Sequence, residues 1–379
     1  MSSHRKPRAR DLGLPFSGAT GEWNAITDVP GVEVGFCTLQ KSHPQLEVGV
    51  GPVNTGVTAI LPRGREDVPK PVWSASFALN GNGEMTGTHW IDDAGYFVGP
   101  VCITNTHSVG MVHHAATGWM IEQYASTFQN HHGWAMPVVA ETYDGPTSDI
   151  CGRHIKEEHV LQAFADARGG PVAEGNVGGG TGMQTYEFKG GTGTSSRTVD
   201  IEGQTFTVGA LVQSNFGIRS ELTILGVPVG RNLTANRPLT DGVADGHDMG
   251  SIIVIIGTDL PLGSAQLRRL AKRGAMGIAR TGSPGGHYSG DIVLAFSVAN
   301  PIEMPQLGEY QPLQFAVEIM NDAHCDAMYQ GAVEAVEEAI INALIAAETM
   351  PIIKPAGYQW DAIDHQALCD LMRKFGRMD

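Results

Sequence analysis

The sequence is short of three features that would assign it to familiar classes of protein. It has no apolar run of about 18 residues, the length that a membrane-spanning helix needs, so a transmembrane protein is not expected. After the basic start at residues 1–10 no apolar stretch of about 7–15 residues follows, so we expect no signal peptide. Only five cysteines are present, odd in number and scattered, which argues against a disulfide framework and favours reduced thiols in a cytoplasmic protein.

Basic residues are also scarce. Lys and Arg total 25 against 40 Asp and Glu, a formal net charge of 25 − 40 = −15. A field of this sign repels nucleic-acid phosphates and anionic lipid, so we expect neither as a partner. Glycine is abundant instead, at 49 of 379 residues, while charged residues make up 17%. This balance is typical of a compact α/β or β-rich enzyme with many tight backbone turns.

Hydrophobic patterning along the chain predicts strands and amphipathic helices in an α/β order. The Gly-rich stretch 169–196 predicts a loop or linker, and the polar stretch 231–250 predicts an exposed, mobile segment. We expect Glu334, Glu337 and Glu338 to face solvent on a long helix near the C-terminus. Strands are predicted at residues 32–39, 57–61, 75–79, 101–104, 138–142, 205–213, 223–227, 251–257 and 291–298, and helices at 108–127, 154–167, 264–278 and 322–348.

Common catalytic and ligand-binding motifs are not found. The 14 histidines include adjacent pairs but no His-Glu-x-x-His, and adjacent histidines diverge on a helix or strand, so no metal site is expected. The run at residues 178–182 lacks the Lys-Ser/Thr of a phosphate-binding loop, and close backbone packing explains its glycines better. No Gly-x-Ser-x-Gly lies on a strand-to-helix turn, so a hydrolase of the nucleophile-elbow type has no candidate serine.

One serine stands at an unusual junction, where the polar stretch meets the most apolar strand. Ser251 opens that strand and follows Gly250, which permits distorted backbone and close approach. A hydroxyl there can attack the carbonyl of Gly250 in an N-to-O acyl shift, and hydrolysis would leave Ser251 with an α-amine of pKa about 7.7–8.0. An ordinary turn before a strand explains the same dipeptide. The residues alone therefore leave both interpretations open.

Six blocks of the sequence carry a more specific signal. They are RARDLGLPF at 8–16, WNAITDVPGVEVG at 23–35, GNVGGGTGM at 175–183, LVQSNFG at 211–217, GSIIVIIGTD at 250–259 and SGDIVLAFS at 289–297. Together and in this order they resemble the DmpA-type L-aminopeptidase/D-esterase family, whose relatives include beta-peptidyl aminopeptidases. The resemblance covers nearly the whole chain.

The resemblance implies a four-layer αββα sandwich similar to N-terminal-nucleophile hydrolases. It also implies that a single domain of residues 1–379 cleaves itself at Gly250–Ser251 into chains 1–250 and 251–379. Ser251 would then attack the substrate carbonyl, and Asn215 would donate a hydrogen bond to the oxyanion. Without the resemblance, Asn215 is explained equally by a turn before Gly217.

Four further residues are implied to line the site. Glu141 would receive the free ammonium of the substrate and Tyr143 would lie beside the acyl centre, since the two alternate along a strand end; ordinary surface residues show the same pattern. Ser289 and Asp291 also alternate, so Asp291 would orient Ser289 and Ser289 would reach Ser251. Some relatives carry Glu in place of Asp291, which has one more carbon and so changes how far the carboxylate extends. Whether this relay or the α-amine is the base stays open.

The sequence therefore predicts a self-processed serine aminopeptidase that acts on short peptides, amino-acid amides or esters. No cofactor is expected, and the resemblance implies a homo-oligomer, a tetramer of processed heterodimers. Two alternatives remain. One is an amidase of the same fold that cleaves a non-peptide or β-amino-acid amide, and the other is an unprocessed, inactive binding protein. Preference among L-, D- and β-residues depends on pocket shape.

Overall fold

The computed structural model describes residues 6–243, 248, 250–302 and 313–379. In these ranges the β-branched segments form two main sheets, one of four strands in the order β1-β2-β5-β6 and one of six in the order β4-β3-β12-β11-β10-β9. The strands are β1 Glu33–Lys41, β2 Val53–Leu61, β3 Val72–Ala78, β4 Tyr96–Phe97, β5 Val101–Asn105, β6 Val138–Thr142, β7 Gln184–Thr185, β8 Phe188–Lys189, β9 Gly191–Ile201, β10 Gln204–Asn215, β11 Ser251–Thr258, β12 Gly290–Ser297, β13 Met350–Ile353 and β14 Ala356–Trp360.

Helices cover the outer face of each sheet. The long ones have an apolar side that needs burial, and the sheets supply the complementary surface. No helix within the described residues is long and apolar enough to cross a membrane. The helices are α1 Thr88–Ala94, α2 Val109–Gln123, α3 Ala125–Phe128, α4 Glu157–Asp166, α5 Val229–Asn232, α6 Ser264–Arg280, α7 Cys325–Ile345 and α8 His365–Lys374.

Alternation along β11 shows how the layers form. Ile253 and Ile255 point into a core shared by the two sheets, while Ile252, Val254 and Ile256 point to the opposite face, against α6 and α7. A third core lies between the four-stranded sheet and the helices α2 and α4. The order is therefore helix, sheet, sheet, helix, and the predicted αββα sandwich is confirmed.

Strand order brings three segments together at the start of β11. Asn215, the last residue of β10, is paired with Ser251 in the antiparallel β10–β11 register. On the other side, Ser251 is paired with Gly290 in the parallel β11–β12 register. The end of one strand and the start of another thus flank the first residue of β11.

The prediction of a loop over residues 169–196 is wrong in its last part. Strand β9 begins at Gly191, and the short hairpin of β7 and β8 precedes it. A Cβ at Gly193 would lie 2.0 Å from the carbonyl oxygen of Ala339 in α7. Glycine therefore marks close packing of a helix on the strand, whereas sequence patterning associates it with loops.

Two other elements differ from expectation. The predicted strand at residues 223–227 is a tight turn, with one bridge between Ile224 and Val227. Within the stretch 231–250, expected to be exposed, Leu239, Asp248 and Gly250 are buried. Residues 244–247 and 249 of that stretch lie outside the described part of the chain.

The three glutamates expected to face solvent on α7 are buried. Glu338 accepts hydrogen bonds from Arg10 Nε at 3.0 Å and Arg197 Nη2 at 2.7 Å. Arg197 Nε also forms an ion pair with Glu334 at 3.2 Å, and Arg280 Nη1 forms one with Glu337 at 3.1 Å. The N-terminal segment and β9 thus cover a helix face that is polar in sequence, because buried carboxylates are tolerated where cations neutralise them.

Candidate active site

The hydroxyl of Ser251 lies against the peptide bond that precedes it. Ser251 Oγ donates to the carbonyl oxygen of Gly250 at 2.7 Å and accepts from the Gly290 N–H at 3.1 Å. The residue is buried, because β10 and β12 flank it on both sides. A nucleophile is thereby held beside the carbonyl group of the predicted cleavage bond.

Gly250 is confined by backbone on the side where a Cβ would be. A Cβ there would lie 2.0 Å from the carbonyl oxygen of Asn215. Its N–H donates to Asp248 Oδ1 at 3.0 Å, which fixes the residue that precedes β11. Burial raises the pKa of the Asp248 carboxyl. Asp248 was not predicted from the sequence, since an Asp in a polar stretch carries no signal of burial.

The carboxamide of Asn215 is held at both ends. Its Oδ1 accepts from the Gln184 N–H at 2.9 Å, and its Nδ2 donates to the carbonyl oxygen of Tyr143 at 3.1 Å. Because the amide nitrogen has two N–H groups, one stays available beside Ser251. A donor fixed in this way costs no reorganisation when an oxyanion forms. Gln184, in the hairpin of β7 and β8, was missed from sequence.

Glu141 and Tyr143 occupy different environments although they alternate at the end of β6. The carboxylate of Glu141 is buried and accepts from the Glu84 N–H at 3.0 Å and from the hydroxyl of Thr106. Burial raises the pKa of the Glu141 carboxyl, and these two hydrogen bonds oppose the shift. The Tyr143 side chain is 40% exposed and stands edge-on to His107. A cation docked beside Glu141 would offset its desolvation.

Ser289 and Asp291 form the hydrogen bond that their spacing predicts. Ser289 Oγ donates to Asp291 Oδ1 at 2.5 Å, and both residues are fully buried. Asn80 Nδ2 donates to the second oxygen, Oδ2, at 3.3 Å. Burial raises the pKa of the Asp291 carboxyl to about 6. The hydrogen bond from this segment to Ser251 Oγ is donated by the N–H of Gly290, the residue between Ser289 and Asp291.

Sequence reasoning missed the loop 79–86, which supplies Asn80 and Glu84 to the site. The run Asn-Gly-Asn-Gly at residues 80–83 signals a turn after strand β3. That signal identifies a loop but not what the loop contacts. Among the described residues no group of three or more His, Cys, Asp and Glu side chains is arranged to hold a metal ion.

Comparison with known proteins assigns the chain to a family. The sequence model of peptidase family S58 matches residues 24–356. The beta-peptidyl aminopeptidase BapA of Sphingosinicella microcystinivorans is 47% identical over 388 aligned residues, which cover 100% of this chain and 94% of that protein. The BapA of Sphingosinicella xenopeptidilytica is 44% identical over 351 residues, 91% of this chain and 86% of that protein.

Solved structures give the same assignment. The L-aminopeptidase D-Ala-esterase/amidase of Ochrobactrum anthropi, described as a variant of the Ntn hydrolase fold, superposes with a TM-score of 0.92 at 52% identity, covering 99% of this chain and 100% of that one. A Burkholderia beta-aminopeptidase superposes with a TM-score of 0.89 at 42% identity, covering 98% and 99%. This chain belongs to peptidase family S58 and is an aminopeptidase, which confirms the resemblance of the six blocks.

Proposed function

We propose that this aminopeptidase cleaves its own chain between Gly250 and Ser251 and then releases single amino-terminal residues from short peptides, amino-acid amides and esters through an acyl-enzyme on Ser251. The observation that carries the proposal is the 2.7 Å contact between Ser251 Oγ and the Gly250 carbonyl oxygen. Asn215, opposite Ser251 in the strand register, supports it as a fixed donor.

The self-cleavage step balances without a cofactor. Ser251 Oγ bonds to the Gly250 carbonyl carbon, the C–N bond to Ser251 breaks, and the hydroxyl proton passes to the Ser251 nitrogen, which becomes a free amine. Water then hydrolyses the ester, which leaves a carboxylate on Gly250 and a free hydroxyl and α-amine on Ser251. Asp248 holds the residue before the cleaved bond in place through its hydrogen bond to the Gly250 N–H.

The same hydroxyl serves in peptide hydrolysis. Ser251 Oγ bonds to the substrate carbonyl carbon, the leaving amine or alcohol takes a proton, and water hydrolyses the ester to release the amino acid. One N–H of Asn215 stabilises the oxyanion, a contribution of about 2.7–4 kcal/mol for a fixed donor. The proton passes to the α-amine of Ser251 or to the pair of Ser289 and Asp291.

Glu141 supplies the requirement for a free amino terminus. Its carboxylate is buried with two hydrogen-bond donors already in place, so its remaining lone pairs are directed and fixed. A substrate ammonium provides the opposite charge that would compensate the buried Glu141 carboxylate. An N-acylated terminus provides no charge, so it leaves the carboxylate uncompensated.

Replacement of Glu141 by Gln tests this role. We expect Glu141→Gln to lower kcat/KM for L-alanyl p-nitroanilide about 10- to 160-fold, which corresponds to the roughly 1.5–3 kcal/mol of a charge-assisted hydrogen bond. Self-cleavage should survive, because that step involves no external ammonium. Glu202→Gln is the matched control, since Glu202 is an exposed glutamate in the turn between β9 and β10, at the opposite end of β10 from Asn215.

The N-acetyl analogue of the substrate decides between this function and the wider alternative. Wild type and Glu141→Gln should both hydrolyse N-acetyl-L-alanyl p-nitroanilide poorly. Equal turnover of the free and acetylated compounds by wild type would replace the aminopeptidase mechanism by that of a general amidase of the same fold.

We further propose that the processed protein is a cytoplasmic homo-oligomer, a tetramer of heterodimers. Support comes from the exposed apolar side chains at alternate positions of one segment, Leu313, Phe315, Val317 and Ile319, and from five cysteines that form no disulfide. Light scattering at micromolar concentration should give the mass of four heterodimers. A monodisperse single heterodimer contradicts the assembly.

A further inference from the structure

A fully buried carboxyl group lies one residue beyond Tyr143, in the turn that follows β6. It belongs to Asp144, whose residue has no exposed surface. Asn105, the last residue of β5, donates from Nδ2 to Asp144 Oδ2 at 3.0 Å and to Thr55 Oγ1 of β2 at 2.9 Å. Both neighbours are neutral, and a carboxylate that is buried among neutral groups is costly.

Two oxygen atoms of this pair lack a donor. Asp144 Oδ1 and Asn105 Oδ1 are both buried, and neither has a hydrogen-bond partner among the described residues. The amide of Asn105 already adjoins the carboxyl group through the bond from Nδ2 to Oδ2. An ionised carboxyl group only accepts hydrogen bonds, whereas a protonated one has an O–H that can donate to the amide oxygen. A single proton on Asp144 Oδ1 therefore gives both atoms a partner.

The electrostatic surroundings of Asp144 favour the protonated form. Burial raises the pKa of its carboxyl group to about 7, and the donors on Thr55 and Asn105 oppose this shift. The negative charge of Glu141, on β6, raises the pKa further. Gly182, which packs on Asp144 from the segment before β7, brings no charge. A hydrogen bond donated by the neutral acid to the amide oxygen stabilises that form, so ionisation belongs to the alkaline side of neutrality.

The backbone of Asp144 connects this pair to the predicted oxyanion donor. The carbonyl oxygen of Tyr143, in the peptide group that joins Tyr143 to Asp144, accepts from Asn215 Nδ2 at 3.1 Å. The carbonyl oxygen of Asp144 accepts from the Thr147 N–H at 3.0 Å, which closes the turn. The side chain of Asp144 fastens this turn to the end of β5 through Asn105. It thereby fixes the acceptor that orients the Asn215 carboxamide.

We propose that Asp144 is a positioning residue, held as a neutral carboxylic acid that donates from Oδ1 to Asn105 Oδ1 and so keeps Asn215 aligned. The inference rests on the proposed role of Asn215 as the oxyanion donor. Loss of the proton would leave two buried acceptor oxygens without a donor, which loosens the turn. Because an oxyanion donor acts in the transition state, the effect should fall on kcat and not on KM.

Replacement of Asp144 by Asn tests the role in catalysis, because Asn carries the donor and the acceptor of the neutral acid at every pH. Asp144→Asn should be processed and should keep a kcat close to that of wild type for L-alanyl p-nitroanilide at neutral pH. Wild-type kcat should fall at alkaline pH as Asp144 ionises, and Asp144→Asn should lose this descending limb. Asp144→Ala has neither group and should lower kcat by about 10²-fold, the effect of a misplaced catalytic group, with little change in KM.

The proton can also be measured without catalysis. The infrared difference spectrum between wild type and Asp144→Asn at neutral pH should contain the carbonyl stretch of a protonated carboxylic acid. The pKa of Asp in an unfolded chain is about 3.9. The folded state therefore binds one more proton than the unfolded state between that value and about 7, so wild type loses stability as the pH rises through this range. Asp144→Asn lacks this loss, and its melting temperature relative to wild type should rise over the same range.

Asp149→Asn is the matched control, since Asp149 is also buried and lies five residues farther along the chain. Burial would raise the pKa of the Asp149 carboxyl, but hydrogen bonds from His154 and from the N–H groups of Gly49 and Gly152 outweigh burial and lower it. This carboxylate is ionised at neutral pH. Its replacement should give no carboxylic-acid band and should lower the melting temperature at neutral pH, because charge-assisted hydrogen bonds are lost.

The outcomes separate this inference from the function on which it rests. A missing carboxylic-acid band, a melting-temperature difference that does not change with pH, or a descending limb that survives in Asp144→Asn overturns the neutral acid and leaves the aminopeptidase mechanism intact. A large loss of kcat in Asp144→Asn, or an unchanged kcat in Asp144→Ala, overturns the positioning role. If Asn215→Ala keeps full kcat, the oxyanion donor itself is wrong, and the positioning role of Asp144 with it.

Discussion

Replacement of Ser251 by Ala should give a single chain of 379 residues with no aminopeptidase activity, whereas wild type should give two chains of 250 and 379 − 250 = 129 residues. Both effects have one cause, because Ser251 Oγ is the nucleophile for the Gly250 carbonyl and later for the substrate. Intact-mass analysis measures processing, and hydrolysis of L-alanyl p-nitroanilide measures activity.

The two chains should remain associated after cleavage. Strand β11, at the start of the second chain, has five consecutive fully buried aliphatic residues from Ile252 to Ile256. Burial of each side chain contributes about 1.5–3 kcal/mol. Separation of the two chains would expose all five side chains to water and lose this free energy. Denaturing conditions should separate them, and gel filtration in native buffer should not.

The control for this experiment is Ser297→Ala. Ser297 is also fully buried, but it ends β12 and donates to the Leu260 carbonyl oxygen at the far end of the sheet. This variant should be processed and active. A single uncleaved mass in a fully active wild-type preparation contradicts the mechanism, as does processing in Ser251→Ala.

Replacement of Asp291 by Asn should lower kcat by about 10²–10⁴, the contribution of a positioned general acid or base. Asn keeps an acceptor for the Ser289 hydroxyl, so the shape of the pair survives while the charge that draws the proton is lost. Asp259→Asn is the control, because burial also raises the pKa of the Asp259 carboxyl, yet Asp259 lies beyond the other end of β11.

The pH profile identifies the base. Burial raises the pKa of the Asp291 carboxyl to about 6, so below that pH it is protonated and accepts no proton from Ser289. Wild-type kcat/KM should therefore rise with pH through about 6, and Asp291→Asn should lose this limb. A limb near 7.7–8.0 that survives in Asp291→Asn would assign the base to the α-amine of Ser251 instead.

Much of the fold follows from local patterns. The β-branched run after Ser251 predicts a strand buried on both faces, and β11 is such a strand. Spacing of two places Ser289 and Asp291 on one side of β12, where they form a hydrogen bond. Six blocks in a given order are sufficient to identify the family. In each case the information lies within a few consecutive residues, or in their order along the chain.

Only the tertiary structure decided what the local patterns do not contain. Gly193 lies in a strand because α7 packs on it, and Glu338 is buried because Arg10 and Arg197 neutralise it. Glu84 reaches Glu141 because its loop bridges two sheets whose strands are far apart in sequence. Periodicity reports the average exposure of one element, whereas contacts between distant segments depend on strand order and layer packing. Those contacts decide which charges are paired and which loop residues reach the site.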